Sequence, residues 1–88
     1  MVDSMFYVYF LRSRKDGKLY FGSTNDLRRR LLEHNDGLVP STKSRRPFEL
    51  RYYEAFDKES DARKRESSLK KDGRALTQLK IRINDSIK

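Results

Sequence analysis

At 88 residues the chain is long enough for one small domain with a thin core, because a chain of this size hides only about 60–65% of the surface exposed on unfolding. Lys and Arg number 21 against 13 Asp and Glu, a formal net charge of +8, and there is no cysteine and one histidine. That composition excludes a disulfide framework, a zinc knuckle, a thiol nucleophile and a multi-histidine metal site. The longest apolar run, Met5 to Leu11, is far short of the ~18 residues a membrane-spanning helix needs, and Met1 to Met5 carries no basic segment leading into a signal-type stretch. The expectation is a cytoplasmic protein with no membrane association, whose excess positive charge suits a polyanion, usually nucleic acid.

Met5 to Leu11 (Met-Phe-Tyr-Val-Tyr-Phe-Leu) is rich in aromatic and β-branched residues and reads as a strand. It is apolar on both faces, with Phe6, Val8 and Phe10 on one and Tyr7, Tyr9 and Leu11 on the other, so a central place in its sheet is expected. Asp16-Gly17 is a hairpin turn signal, and Leu19 to Gly22 runs back as a short antiparallel strand. Gly22 marks a point where the backbone bends sharply or comes close to something else. Ser23-Thr24-Asn25-Asp26 is a cluster of helix-capping residues that starts a first helix running to about Asn35. Asn35-Asp36-Gly37 is its stop signal.

Leu38 to Pro47 is loop-like and basic. Phe48 to Phe56 forms a third strand. Asp57 or Ser60 is expected to cap a second helix that extends to about Lys71. Asp72-Gly73 breaks that helix, and Arg74 to about Asn84 forms a third one with Leu76, Leu79 and Ile83 at core spacing. The order β-β-α-β-α-α gives an α/β sandwich, a small, mainly antiparallel three-stranded sheet with helices packed on it. One domain spans the chain.

The most informative residues are polar groups at positions where the helical period calls for apolar ones. With Leu27 at zero and about 100° per residue, Leu31 falls near +40°, Arg30 near −60° and His34 near −20°. In the second helix, with Ala62 at zero, Leu69 falls near −20°, Glu66 near +40° and Arg65 near −60°. Burying such groups without partners is costly, so each needs a partner or a ligand, or must face a cleft. The plain structural account is a half-buried ion pair of Glu66 with Arg30 or Arg65, and a His34 bonded to backbone. For any single residue that account is the stronger. For both helices together the balance moves toward a site.

Tyr7, Tyr9, Tyr20, Tyr52 and Tyr53 all fall in predicted strands, where tyrosine is favoured in any case. Tyr20 differs because it ends a strand just before a helix start, where catalytic groups collect and phosphate can be received. Basic residues cluster at Arg28-Arg29-Arg30, at Lys43, Arg45 and Arg46, at Arg63-Lys64-Arg65, and at Lys70-Lys71 with Arg74. Solvated helix faces account for most such runs. Their recurrence in each segment after the hairpin fits a surface that meets phosphates.

Tyr7-Val8-Tyr9, then Tyr20-Phe21-Gly22, then Arg30 and His34 on one helix and Glu66 on a later one, resembles the GIY-YIG nuclease domain. The likeness is closest to its small stand-alone bacterial branch, similar to the N-terminal catalytic module of the UvrC excision-repair nuclease. Asp26-Leu27-Arg28-Arg29-Arg30-Leu31-Leu32-Glu33-His34-Asn35 and the run through Ala62, Glu66, Leu69 and Lys70 carry it over about residues 5–71, leaving a C-terminal helix at about 74–84. Tyr7 stands where the family name has glycine, and Phe21 where it has isoleucine. An asparagine found after the metal glutamate in many members has no counterpart nearer than Asn84.

The resemblance implies metal-dependent endonuclease chemistry on DNA, branched or damaged forms included, in repair or recombination. Glu66 would hold one divalent cation, most often Mg2+. Arg30 would steady the scissile phosphate, one of Tyr9 and Tyr20 would activate water while the other orients it, and His34 would complete the catalytic set. Lys43, Arg45, Arg46 and Lys70 would meet the nucleic acid. The rival readings are a catalytically silent nucleic-acid-binding module with the same fold and, more remotely, a small protein-interaction adaptor.

Overall fold

A computed structural model describes residues 5–87; the segment 1–4, read above for a signal stretch, lies outside the described residues. Three strands form one antiparallel sheet in the order β2-β1-β3: β1 (Phe6–Ser13), β2 (Leu19–Thr24) and β3 (Phe48–Phe56). As its two apolar faces require, β1 is the central strand. The hairpin turns at Gly17, which has φ 72°, a left-handed conformation that costs glycine nothing. Helices α1 (Leu27–Asn35), α2 (Glu59–Lys71) and α3 (Gly73–Arg82) follow, with a last turn, α4, at Asn84–Ile87.

Four boundaries differ from the sequence reading, each for a local reason. β2 runs on through Ser23 and Thr24, because Tyr7 and Val8 of β1 pair with them. Asp26 alone is then the N-cap of α1, its carboxylate accepting from the Arg29 N–H at 3.0 Å. The N-cap of α2 is Lys58, with no side-chain bond, rather than Asp57 or Ser60. The third helix stops at Arg82, and Ile83 bonds back to Leu79 before the chain turns into α4.

The sheet is covered on both sides, and the alternation of β1 assigns the cover. Val8 and Phe10 point to a core built with Ala62 and Leu69 of α2 and Leu79 of α3. Phe10 stacks on Phe21 at 5.2 Å and meets the edge of Tyr52 at 5.7 Å. Tyr9 and Leu11 point the other way, to a smaller core with Phe48, Tyr20, Leu27 and Leu31, under α1. Burying each such side chain contributes about 1.5–3 kcal/mol. The layers are therefore α1, sheet, then α2 with α3.

Polar locks hold the elements in register. Arg65 grips Glu54 of β3 with two bonds, 2.8 and 3.0 Å, and the Tyr52 hydroxyl donates to the same carboxylate at 2.7 Å. Arg65 is thus paired with β3 and not with Glu66. Burial would raise the Glu54 pKa, but the Arg65 and Tyr52 bonds outweigh it and hold the group below the usual range. Tyr52 is pushed up to about 12 by burial and by its bond to that carboxylate.

The long loop is tied down at Ser13, whose buried hydroxyl donates to the Arg45 carbonyl at 2.6 Å. Arg45 in turn donates to Asp16 at 2.8 Å and lies 5.5 Å from the centre of the Phe48 ring. The Asp16 pKa is drawn down to about 2, chiefly by Arg45 and the Lys18 N–H. Among the described residues no helix is long and apolar enough to cross a membrane.

The lowered pKa of Asp16 gives a pH signature. Its ionised form is favoured by folding, so its contribution is complete above the unfolded value of about 3.9 and disappears as pH falls through about 2. Asp16→Asn should lower the urea midpoint at pH 6. The gap between the variant and the parent protein should shrink steadily below pH 4, as equilibrium unfolding at a series of pH values would measure.

Candidate active site

The site begins with a gap in a strand. Tyr9 pairs in register with Gly22 on the edge strand β2, and its ring lies across that glycine. A Cβ built on Gly22 would stand 2.9 Å from the Tyr9 hydroxyl and 3.2 Å from Cζ, closer than a side chain allows. The close approach anticipated at Gly22 is thus made by a phenol. Tyr9 is 2% exposed, and the missing side chain gives its hydroxyl a path over the sheet edge. Tyr20, on the same face of β2, pairs with Leu11 and so sits diagonal to Tyr9 rather than directly opposite it.

Beneath the Tyr9 hydroxyl lies His34, fully buried. Its Nε2 is 3.1 Å from the Tyr9 oxygen, and its Nδ1 is 2.8 Å from Thr42 Oγ1. The Thr42 hydroxyl donates onward to the Val39 carbonyl at 3.4 Å. With that proton committed, Thr42 accepts from His34, so Nδ1 carries the imidazole proton and Nε2 accepts from Tyr9. Burial first, and the Arg30 charge second, hold the His34 pKa below its ordinary value, which keeps the ring neutral. The partners of His34 are therefore two side-chain hydroxyls, not backbone. Tyr20 and Phe48 close the ring's sides, at 5.1 and 5.8 Å between centres.

Arg30 approaches the same phenol from α1. Burial raises the Tyr9 pKa, and the Arg30 hydrogen bond and charge oppose that rise; Tyr20 and Glu66 also act on the group. Arg30 further donates to Glu33 at 3.1 Å. Of the expected residues, His34 bonds to the Tyr9 hydroxyl, Tyr20 packs on the His34 ring, and Glu66 acts on the phenol only through its charge.

Glu66 comes from the opposite face of the sheet, on α2. Ser23 follows Leu19 and Phe21 in the alternation of β2, so it points toward α2, and its hydroxyl donates to Glu66 Oε1 at 2.7 Å. Lys70 donates to Oε2 at 2.6 Å from one turn along. Burial would raise the Glu66 pKa, but the Lys70 and Ser23 bonds prevail and lower it. The group is a carboxylate at neutral pH. The expected ion pair with Arg30 or Arg65 is absent, its place taken by Ser23 and Lys70.

Between α1 and α2 opens a cleft of about 320 Å³, lined among others by Ser23, Asn25, Arg29, Arg30, Glu33 and Arg63. Of the sequence-predicted site residues only Arg30 lines it.

The four residues expected to meet nucleic acid have separate surroundings. Arg45 is held by Asp16 and Phe48, as described above. Arg46 donates to the Lys43 carbonyl at 2.9 Å and packs on Gly37. Lys43 is exposed, and Lys70 is bound to Glu66. Sequence reasoning missed Ser23, Thr42, Ser13 and Glu54. For Ser23 and Glu54 strand alternation was the available signal; Thr42 and Ser13 gave none.

Among the described residues no group of three or more His, Asp or Glu side chains could hold a metal. Glu66 with the Ser23 hydroxyl is instead a sparse oxygen donor set. It fits a hard cation of the magnesium type, which keeps most of its waters and takes one or two carboxylates plus phosphate oxygens.

The model of the GIY-YIG catalytic domain matches residues 5–80. The chain is 45% identical over 65 residues to a UPF0213 protein of Staphylococcus saprophyticus, covering 73% of this chain and 78% of the relative. It is 42% identical over 72 residues to one from the archaeon Halobacterium salinarum, covering 81% and 92%, so the small stand-alone relatives extend beyond bacteria. A UPF0213 protein of Pediococcus pentosaceus is 43% identical, with 85% of this chain and 92% of that one covered. No solved structure matches. On the match over residues 5–80 and these relatives, the chain belongs to the GIY-YIG family of nuclease-type domains.

Proposed function

We propose that the protein hydrolyses phosphodiester bonds in DNA with the help of a divalent cation, most often Mg2+. The observation that supports this most is the Tyr9 hydroxyl set on a buried neutral His34 beside Tyr20, with Arg30 and the Glu66 carboxylate both acting on it electrostatically. Glu66 would hold the cation with the Ser23 oxygen nearby. Once bound, the cation would supply Lewis-acid charge to the phosphate and the leaving oxygen. Arg30 spreads the charge that develops on the phosphoryl oxygens.

The two phenols divide the remaining work by access. The Tyr9 hydroxyl already bonds to His34 and Arg30 and is buried, so it acts as a fixed orienting group. The Tyr20 hydroxyl makes no hydrogen bond among the described residues and is half-buried. As the phenolate it can take a proton from an attacking water, which then bonds to phosphorus as the P–O bond to the leaving strand breaks. A role in repair or recombination, and action on branched or damaged DNA, belong to the same reading.

Purified protein with Mg2+ should nick plasmid DNA. Glu66→Gln and Tyr20→Phe should each lose at least about 100-fold, the range for removing one acid–base or electrostatic group, while their circular dichroism stays unchanged. Equal cutting by both variants would point to a contaminant. Salt-sensitive binding without cutting by the parent protein would favour the silent binding module.

The rate should rise with pH through the neutral range, as a phenol base requires. Part of that rise should remain in Tyr9→Phe and be lost in Tyr20→Phe, as a pH–rate profile would measure.

Gly22→Ala tests the gap in β2. The added Cβ forces the Tyr9 hydroxyl off His34, so activity should fall at least about tenfold while the protein stays folded. The histidine ring nitrogen shifts in NMR should report the lost bond. His34→Ala leaves two buried hydroxyls without their partner and should cost about 2–4 kcal/mol in urea unfolding.

A further inference from the structure

We infer that Tyr7 and Tyr53 form a seat for an unpaired nucleobase on the sheet face that carries Tyr9, so that the strand entering the site is single-stranded or frayed there. This rests on the nucleic-acid reading above and specifies the substrate's form. α1, nine residues long, covers Tyr9, Leu11, Phe48 and Tyr20 but leaves the Tyr7 end of that sheet face open. There Tyr53, on the edge strand β3, is 52% exposed. It pairs in register with Tyr9, one strand spacing away, about 4.8 Å. The Tyr7 and Tyr53 rings meet edge to face, 5.8 Å between centres at 70°. Neither hydroxyl has a hydrogen bond among the described residues, so no polar contact of the fold accounts for an exposed Tyr53 ring set against a half-buried Tyr7.

The surrounding charge suits a strand of phosphates. Beyond its Asp26 cap, α1 opens with Leu27-Arg28-Arg29-Arg30 and has no acidic residue in its first turn, so three cations stand at an end where anions are favoured. About 100° and 80° from Leu27 respectively, Arg28 and Asn35 share one flank of α1. Asn35 bonds to the Phe48 backbone through both its amide groups, at 3.1 and 2.7 Å, so that flank faces β3. α1 begins just after Thr24, and Thr24, Tyr7 and Ala55 form one row across the sheet. Arg28, exposed and in no ion pair among the described residues, therefore overlooks the Tyr7–Tyr53 end.

Ring stacking accepts any base but needs its face free, which a paired base inside a duplex does not offer. Aromatic rings and arginines together therefore select unpaired nucleotides, while arginines alone would take duplex equally well.

The test uses the full chain carrying Glu66→Gln, in EDTA, with a dye-labelled 20-nucleotide oligo-dT and a blunt duplex of equal length. Fluorescence anisotropy should give at least about fivefold tighter binding of the single strand. Adding Tyr53→Ala should weaken single-strand binding about fivefold or more, the worth of one stacked base, and leave duplex binding unchanged. Tyr53→Phe, which keeps the ring, should bind like the parent. Unchanged single-strand binding in the Tyr53→Ala form, or equal losses for both DNAs, would overturn the seat and leave the nuclease reading standing. Failure of the Glu66→Gln chain to bind either DNA at low salt would overturn both.

Discussion

The site depends on one close approach, a phenol lying across a strand at a residue with no side chain. Tyr9 belongs to the core under α1, and its oxygen bonds there to His34, while Glu66 of α2 acts on it only through charge. A side chain at position 22 would stand in the space the phenol occupies. Gly22 leaves the opening at the one place where the register sets Tyr9 beside the edge strand. Its service to the fold is the space it leaves, since its backbone is ordinary extended strand.

From that contact the electrostatics follow in order. A buried phenol prefers to be neutral, and the neutral imidazole beneath it accepts its proton as a hydrogen bond. Thr42 fixes which imidazole nitrogen does so by donating its own hydroxyl hydrogen bond to the Val39 carbonyl. Arg30 then adds positive charge to a hydroxyl whose geometry is already set. Each step removes one freedom from the Tyr9 oxygen. What remains is an oriented group whose direction is determined by a loop threonine 33 positions along the chain from it, 42 against 9.

The architecture was legible in the sequence because its signals are local. A run apolar on both faces identified the central strand, Asp-Gly identified the hairpin, and polar residues on apolar stripes identified Arg30, His34 and Glu66. The partners of those residues were not legible. Ser23 was read as a helix cap because Ser-Thr-Asn-Asp is a capping composition, whereas pairing with β1 extends the strand and turns the serine toward Glu66. Arg65 found Glu54 because β3 lies beside α2 in space, and no periodicity within one element can show that. Thr42 sits in a loop, where no period exists, so only the fold could bring it to His34.

The cations around the cleft already lean on acids of their own helices, and that bears on how a phosphate would enter. Arg30 and Arg29 lean on Glu33 at 3.1 and 3.7 Å, Arg63 on Glu59 at 3.2 Å, and Lys70 on Glu66 at 2.6 Å. All are helical neighbours three or four residues apart, and such pairs are worth only about 0.3–0.5 kcal/mol where exposed. The interaction is enough to hold each guanidinium in place and too weak to resist a phosphate, which offers Arg a two-pronged, charge-assisted contact. The deeper pairs behave differently: Arg65 with Glu54 is shielded and doubly bonded, and Arg45 is bonded to Asp16 and packed on Phe48. On this basis the basic residues sort into two sets. Those of α1 and the cleft side of α2 can exchange their acids for a ligand, while Arg45 and Arg65 serve the fold that holds the site open.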